Sequence, residues 1–551
     1  MSALLVISFC LWSLDRGLEI TDEAYYLLLG MHPDAVKLYI SAQQWVTGPL
    51  WQVTGSLMSF RAAGMVLLMA SAALLAIGAT SALRQTPLPS ADDLGGRSRV
   101  IAASLVGALL YAATINLSPC YNLLASAGAY AAAGLLLLSL RTDDRWRRTG
   151  LLLLVGIALA VEFVSKPSSG VATLCLLAFW LLVAGQSLPR KMIGLASVLA
   201  GFACGAFALA VTQTTIADAR LALSQGMELF RMVQVEPVGA RLTRYLVEFC
   251  RHSIYAVEAF AVVILAVSLY LLTRRRIFAG LAILSLLYTL VSGRYLLGGV
   301  DQYVLQMQAA FVLFLLGLLV ALPVCKADRR TGAIVAGLAL LPYTVAVGTG
   351  NAIFTQVIVS LAPWGVALAL LAAGDFPRKA DKVLAMTLCA AFVATVAAQI
   401  ISSGFRAPYH LQAPLVAQSQ AVTVGELGSV RVDPETANFV SKLQLAAGTC
   451  GIVSGAPFLG LYNIPGVALV LETVPLSTPW LNNVAQADAV LTRAPPGILG
   501  SSVVALLLNA DGSRPELPAA LESFPAGFEY CGEATYPFGS QRIQIWRSRA
   551  S

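Results

Sequence analysis

Two adjacent carboxylates, Asp22 and Glu23, follow the first apolar run of the chain within the segment TDEAYY at 21–26. The backbone dipole favours the charged form of a carboxylate at a helix N-terminus. An ionised carboxylate at a membrane boundary can act as a base that deprotonates or orients a nucleophile. The structural alternative is that Thr21 or Asp22 caps a helix that begins here. The two interpretations are compatible, because both put the two carboxylates at a helix start.

Two cations could complement this acid. Lys166 lies between two apolar segments, directly before a proline, and Arg294 precedes Tyr295 after a later apolar segment. Cations at the depth of lipid headgroups are natural partners for a phosphate. The alternatives are snorkelling toward ordinary phospholipid and, for Lys166, an ion pair with Glu162 one helical turn earlier.

The composition identifies the setting of these residues. Only 12% of the 551 residues are charged and 58% are hydrophobic, whereas soluble domains carry about 25% charged residues. The composition therefore predicts a polytopic α-helical membrane protein in contact with membrane lipids. A net charge of +7 is typical of basic cytoplasmic loops. No basic patch is interleaved with aromatic residues as single-strand binding requires, so we exclude nucleic acid as a partner.

Apolar segments recur along residues 1–402, and by the apolar-length criterion they predict about thirteen transmembrane helices. After the first run they lie at 57–83, 100–117, 122–140, 149–164, 168–187, 192–212, 254–272, 277–292, 303–322, 331–347, 352–373 and 383–402. Between them, 214–253 predicts one or two amphipathic helices along the membrane or an ordinary packed external loop.

The distribution of Lys and Arg predicts the orientation. About half of the 36 basic residues fall in alternate loops, which marks those loops as cytoplasmic: Arg84, Arg97, Arg99, Arg141, Arg145, Arg147, Arg148, Arg190, Lys191, Arg274, Arg275, Arg276, Lys326, Arg329, Arg330, Arg378, Lys379 and Lys382. An odd number of spans then puts the N-terminus in the cytoplasm and the C-terminal part outside.

The first apolar run, from Ala3 to Leu14, has roughly 12 residues, fewer than the ~20 that a crossing helix needs. It lacks the basic n-region and the small-x-small cleavage site of a signal peptide. We interpret it as a first span. Either its helix continues through residues 12–14, or the native start codon lies upstream.

Residues 403–551 predict an extracytoplasmic α/β domain, because strand-like and helix-like segments alternate there. Strands are predicted at 420–425, 429–432, 451–453, 467–472, 489–492, 528–531 and 542–546, and helices at 434–447, 500–509 and 517–523. Cys450 and Cys531 both fall in this domain and could form a disulfide in an oxidising compartment, although a sequence cannot supply the geometry that a disulfide requires.

Together these features resemble the GT-C superfamily of membrane glycosyltransferases. The resemblance rests on a first span followed by Asp-Glu-Ala-Tyr-Tyr, about thirteen spans, Lys166-Pro167, Arg294-Tyr295 and an outer C-terminal domain. Within the superfamily, residues 1–402 resemble bacterial relatives of the protein O-mannosyltransferases and of the lipid A aminoarabinose transferase. The C-terminal domain resembles no family that we can name.

The resemblance implies transfer of a sugar from a polyprenyl-phosphate donor to a glycolipid, polysaccharide or protein acceptor on the outer face of a bacterial inner membrane. It implies that Asp22 is the catalytic carboxylate, with Glu23 beside it. It also implies that Lys166 and Arg294 bind the donor phosphate, with Tyr295 adjacent.

Three further residues are candidate substrate contacts: Tyr25 and His32, close in sequence to the acidic residues, and Asn122. Relatives often carry an acidic residue in the second outer loop, where this chain has Asn122. That departure puts a second carboxylate, and any divalent metal such as Mg²⁺ or Mn²⁺ there, in doubt. The alternative for His32 is an ordinary surface histidine near the membrane.

A transporter or flippase is the rival interpretation. Transporters tend to show internal repeats, broken spans and ionisable groups at mid-membrane. The ionisable groups of this chain cluster at the membrane edge instead, and Glu258 is the best transporter-like residue. A third interpretation is a scaffold within an envelope-assembly complex whose active site has decayed.

Overall fold

The computed structural model describes residues 1–83, 94–183, 187–232, 236–322, 329–537 and 539–549. Arg84 and Lys326 of the predicted cytoplasmic loops lie outside these ranges. Within the described ranges, eighteen α-helices precede the C-terminal domain: α1 (Ser2–Ser13), α2 (Asp22–Met31), α3 (Gln44–Thr54), α4 (Leu57–Ala82), α5 (Leu94–Leu109), α6 (Tyr121–Ser139), α7 (Arg145–Ser165), α8 (Pro167–Val183), α9 (Leu188–Gln213), α10 (Ile216–Arg231), α11 (Val238–Ala259), α12 (Ala261–Thr273), α13 (Arg276–Ser292), α14 (Tyr303–Ala321), α15 (Arg329–Ala346), α16 (Ile353–Gln356), α17 (Ala362–Ala372) and α18 (Lys379–Arg406).

The protein is a multi-pass membrane protein. In the described residues six helices are long and apolar enough to cross a bilayer, namely α4, α6, α7, α9, α14 with the turn before it, and α18, and two bent helix pairs raise this number to eight. Four shorter apolar helices, α1, α8, α13 and most of α15, accompany them. The predicted number of about thirteen therefore exceeds the spans that meet the length criterion, because several apolar segments form short or broken helices.

Both bent pairs replace a segment predicted as one continuous span. The segment 352–373 divides at Leu361, and its two halves meet at 70°. Pro363 lies in the first turn of the second half, where proline is tolerated because its nitrogen needs no partner. The segment 254–272 is the end of α11 followed by α12, with a 75° bend between them. Apolar length alone did not predict these bends.

The C-terminal domain is a mixed five-stranded sheet with a separate hairpin. Its elements are β1 (Gln420–Val424), β2 (Gly428–Val432), α19 (Pro434–Cys450), β3 (Pro457–Leu461), α20 (Pro465–Val470), β4 (Val474–Pro475), α21 (Val484–Arg493), β5 (Val503–Leu507), β6 (Phe528–Thr535) and β7 (Arg542–Ser548). The sheet order is β4-β3-β5-β7-β6, and β1 pairs with β2. Strands β3, β4 and β5 are parallel, whereas β7 is antiparallel to both its neighbours. This mixed architecture agrees with the predicted α/β class.

Several boundaries in this domain differ from the prediction. The hairpin, α19, β6 and β7 lie where strands and a helix were predicted, but 467–472 overlaps α20 and 489–492 lies within α21. The predicted helix 500–509 contains β5, and the predicted strand 451–453 is not a strand. Of the predicted helix 517–523, only a short 3-10 turn at Ala519–Leu521 forms. Short apolar runs fit helix and strand equally well, so sequence pattern alone could not distinguish them.

The Cys450 and Cys531 side chains form a disulfide in the structure, with their Cα atoms 5.4 Å apart. The disulfide joins the C-terminal end of α19 to β6. It therefore ties the helix to the edge of the sheet on which it packs.

The C-terminal domain shares a hydrophobic core with the segment between α1 and α4. Leu18, Ile20, Leu27 and Trp51 belong to the same buried cluster as residues of β2, α19 and α20. Backbone bonds reinforce this packing, since the Gly466 N–H donates to the carbonyl of Ile20 at 3.0 Å. The predicted domain boundary near residue 402 stays a prediction. Side chains from both sides of residue 402 pack in this one core. We call the end of the bundle that carries α2, α3 and this domain the domain face.

Candidate functional site

A buried carboxylate that sequence reasoning missed, Glu19, organises the start of α2. It accepts hydrogen bonds from the N–H groups of Thr21 at 2.7 Å and Glu23 at 2.5 Å, and from the Thr21 hydroxyl. Thr21 makes no capping bond with its own side chain. The predicted cap is therefore not formed, because Glu19 satisfies the first N–H groups of the helix. Burial raises the pKa of Glu19.

Glu23 lies in a buried ion pair. Its side chain is fully buried, and Arg61 of α4 binds it with Nε 2.7 Å from Oε1 and Nη2 2.6 Å from Oε2. The Ser118 hydroxyl donates to Oε1 at 2.5 Å. With both oxygens hydrogen-bonded, this carboxylate joins α2 to α4, and its catalytic role beside Asp22 stays a prediction.

Asp22, one residue earlier, is in contrast partly exposed to solvent. Its side chain is 27% exposed, and the Tyr409 hydroxyl donates a hydrogen bond to Oδ2. Burial and the charge of Asp22 raise the pKa of Tyr409, so this hydroxyl stays protonated and can donate. The carboxylate is thus oriented by one bond and remains open to a ligand.

His410 completes this group. Its ring stacks on Tyr409 with centroids 3.9 Å apart, and Nδ1 lies 3.2 Å from the Thr21 hydroxyl. The same nitrogen is 3.7 Å from Glu19 Oε1 and 3.8 Å from Asp22 Oδ2. Sequence reasoning missed Tyr409 and His410; their position directly after the last predicted span was the signal that could have identified them.

Two packed tyrosine rings, those of Tyr26 and Tyr121, lie near both Asp22 and Lys166. Tyr26 lies one turn after Asp22, and its ring is 5.8 Å from the ring of Tyr121 at the start of α6. The Lys166 Nζ lies 6.0 Å from the centroid of the Tyr121 ring. Burial, Tyr121 and Asp22 raise the pKa of Tyr26 well above its usual value, so the Asp22 charge acts on this tyrosine.

Lys166 is buried at the junction of α7 and α8, with 6% exposure. Its ammonium donates to the carbonyl of Val345 at 2.8 Å and to Asn122 Oδ1 at 3.3 Å. The alternative ion pair with Glu162 is not formed, because Glu162 Oε1 accepts from Ser169 at 2.5 Å and Thr173 at 2.7 Å. An ammonium has three N–H groups, so one remains for a ligand. Asn122 orients this cation. Asn122 therefore has a role besides that of the predicted substrate contact.

Arg294 and Tyr295 follow the C-terminal end of α13. Arg294 is exposed, whereas the Tyr295 side chain is buried, with its ring 4.9 Å from that of Phe260. Their assignment to the phosphate of the donor stays a prediction.

Tyr25 and His32 occupy the two ends of α2. The Tyr25 ring packs 5.8 Å from Trp480 of the C-terminal domain, and burial, with Asp22 adding to it, raises the Tyr25 pKa to about 12. His32 caps the opposite end of the helix, about 15 Å from Asp22 by helical rise. Burial lowers its pKa. Tyr25 therefore borders the Asp22 group, whereas His32 does not.

In the described ranges no three His, Cys, Asp or Glu side chains are grouped so that they could hold a metal ion. The acid and the lysine supply charge and hydrogen bonds of their own.

Comparison with known proteins shows a similarity to solved structures. No protein-family model matches this chain, and no curated protein matches it. Two crystal structures of ArnT from Cupriavidus metallidurans, one bound to undecaprenyl phosphate and one in the apo state, are each similar to it with a TM-score of 0.42 and 13% sequence identity. Each match covers 99% of this chain and 97% of that chain.

Proposed function

We propose that this protein is a membrane glycosyltransferase that moves a sugar from a polyprenyl-phosphate donor to a hydroxyl of a glycolipid, polysaccharide or protein. The observation that carries the proposal is that a partly exposed, oriented carboxylate, Asp22, and a buried ammonium, Lys166, both lie near the packed rings of Tyr26 and Tyr121. Undecaprenyl phosphate, present in one ArnT structure, belongs to the class of carrier proposed here.

The chemistry requires one charge of each sign. The bond between the anomeric carbon and the phosphate oxygen breaks, and the phosphate leaves with the electron pair, so a nearby cation such as Lys166 stabilises it. The acceptor oxygen forms the new bond to the anomeric carbon while its proton passes to Asp22. Attack opposite the leaving group inverts the anomeric centre. Tyr409 holds the carboxylate, and Asn122 and the Val345 carbonyl hold the ammonium.

The rival function, transport of a lipid-linked or small polar substrate, has less support. Glu258, the residue that favoured it, is exposed near the end of α11 and does not lie in the interior where a transporter keeps its ionisable groups. We propose that the chemistry takes place on the extracytoplasmic side of a bacterial inner membrane, with the C-terminal domain on that side, as the distribution of Lys and Arg predicts.

The test is reconstitution of the full chain in liposomes with radiolabelled polyprenyl-phosphate sugars and an envelope extract as acceptor. Transfer of label to the extract, with release of free polyprenyl phosphate, is the expected result. Movement of intact donor across the bilayer without release of polyprenyl phosphate would instead support the transporter. If no donor in the panel is either consumed or moved, the proposal is wrong.

Lys166→Met is expected to weaken apparent donor affinity by roughly tenfold to a hundredfold, because charge-assisted bonds to an anion contribute more than neutral ones. The measurement is KM for the donor in the transfer assay. Lys442→Met, an exposed lysine of α19, is the matched control and should leave KM unchanged. An unaltered donor KM in Lys166→Met protein would remove this lysine from the phosphate site.

Tyr409→Phe is expected to lower kcat roughly tenfold or more, because the Asp22 carboxylate loses the hydrogen bond that orients it, and a hydrogen bond to a charged group contributes about 1.5–3 kcal/mol. The phenyl ring keeps its stacking on His410, so the variant should fold as the wild type does. Measuring kcat and thermal unfolding in both proteins tests this. An unchanged kcat in folded Tyr409→Phe protein would mean that this hydroxyl does not orient the base.

A further inference from the structure

A cavity opens on the domain face, and none of the residues around Asp22 described so far lines it. Its volume is about 570 Å³, within the range of about 300–1,000 Å³ that is typical of small-molecule sites. Its walls come from the loop after α2, the start of α3, α10 and the C-terminal domain. The function proposed above gives this cavity no role.

An amide side chain of α10 lines the cavity. Gln225 is only partly buried there. An amide offers an acceptor oxygen and two N–H donors. Such a side chain is suited to a ligand that offers both kinds of group.

The other lining residues fit the same kind of ligand. The Tyr39 and Trp45 rings lie at the cavity, packed edge to face with centroids 6.1 Å apart, and Gln213 adds a further amide. The charged residues of the lining are of both signs: Asp34, Asp218, Lys37 and Arg493. Arg493 is bound to Glu228 of α10 at 2.9 Å. Aromatic rings next to amides and balanced charges favour a neutral, polyhydroxylated molecule over a strongly charged one.

The cavity is built into rigid packing. Gly226 of α10 lies against the backbone of Tyr39, so closely that an added Cβ would come within 2.2 Å of the Tyr39 carbonyl oxygen. The Gln486 amide of α21 donates to the carbonyl of Leu229 at 3.1 Å. Helix α10 is therefore held on one side by the loop after α2 and on the other by the C-terminal domain, which agrees with the packed-loop alternative for 214–253.

The cavity also lies along the same face of α2 as Asp22. Tyr25 and Leu29 follow Asp22 at the spacing of one helix face, and both pack in the cluster that contains Tyr39 and Trp45. The rise from Asp22 to Leu29 is roughly 10 Å. That is the scale of one or two sugar rings.

We propose that this cavity binds the saccharide portion of the acceptor, with Trp45, supported by Tyr39, stacking on a sugar ring and Gln213 and Gln225 bonding its hydroxyl groups. The proposal rests on the proposed transferase function, because that function requires an acceptor with a hydroxyl that reaches Asp22. Binding is nevertheless measurable without any transfer.

The test is saturation-transfer NMR and calorimetry on the full chain in nanodiscs with mannotetraose, chitotetraose and maltotetraose as probes. At least one probe is expected to bind saturably. Trp45→Ala should weaken that binding roughly tenfold or more, as expected for truncation of a central aromatic contact, and Trp45→Phe should retain most of it. Trp146→Ala, an 82% exposed tryptophan at the start of α7, is the matched control and should bind as the wild type does.

Gln225→Leu provides a second variant that keeps side-chain volume and removes an amide that lines the cavity. It should fold as the wild type does and weaken probe binding. If all three tetrasaccharides fail to bind, or if Trp45→Ala and Gln225→Leu both bind them normally, the proposal is overturned. Binding of a synthetic Ser/Thr-rich peptide in their place would overturn the saccharide assignment.

The binding data also separate this inference from the proposed function. Probe binding that survives in an Asp22→Asn protein, together with a failed transfer assay, would leave the saccharide site standing and remove the transferase. If transfer is active but Trp45→Ala leaves the KM for the acceptor unchanged, the transferase stands and the saccharide site is removed.

Discussion

Asp22→Asn is expected to lower kcat for sugar transfer by about 10²–10⁴-fold, the usual contribution of a positioned general base. The amide matches the carboxylate in size and can still accept the hydrogen bond from Tyr409, so position is retained and only basicity is lost. Because the side chain is 27% exposed and forms no ion pair with Lys or Arg in the described part of the chain, the variant should fold normally. Donor KM should change little, since Lys166 is untouched.

The measurement is single-turnover transfer in liposomes, with gel filtration to compare the amount of folded protein. Asp301→Asn is the matched control: Asp301 is also an aspartate at a helix start on the domain face, with 47% side-chain exposure. It should transfer at the wild-type rate. If Asp22→Asn protein is folded and transfers normally, Asp22 is not the base.

Comparison of the two adjacent acids shows what sequence could and could not predict. The apolar run that ends before Thr21 correctly puts Asp22 and Glu23 at the start of a helix. Their side chains, however, point to different surroundings, and a sequence gives no contact between Glu23 and Arg61, which are 38 positions apart. The sequence therefore predicts an acidic motif but not which of its members is buried.

Distance along the chain also explains the residues that were missed. His410 lies 389 positions after Thr21, and only the return of α18 to the domain face brings them together. Lys166 was identified because a lysine between two apolar segments is unusual in itself. Arg294 shares that signal, yet it follows the end of α13 at a positive φ of 61° with its side chain exposed, and no periodicity in the sequence predicts such a local turn.

Arg61→Met is expected to destabilise the protein by about 3–5 kcal/mol, the typical cost of leaving one member of a buried ion pair without its partner. Arg61 is 4% exposed and lies in the membrane helix α4. Besides Glu23 it donates to the carbonyls of Leu14 at 2.9 Å and Gly17 at 2.8 Å. Its loss therefore leaves a buried carboxylate and loosens the connection between α1 and α2. Thermal unfolding in detergent, followed by gel filtration of the soluble fraction, measures the effect.

The double variant Arg61→Met/Glu23→Leu distinguishes a buried charge from a general loss of packing. Replacing both members with apolar residues removes the unpaired carboxylate, so the double variant should be more stable than Arg61→Met alone. Arg542→Met breaks a pair with Glu533 in which both side chains are more than 40% exposed, and should cost under about 1 kcal/mol. If Arg61 only positions the helix that carries Asp22, transfer per folded molecule should recover in the double variant. A double variant that regains stability and stays inactive would instead assign Glu23 a direct part in the reaction, despite its burial.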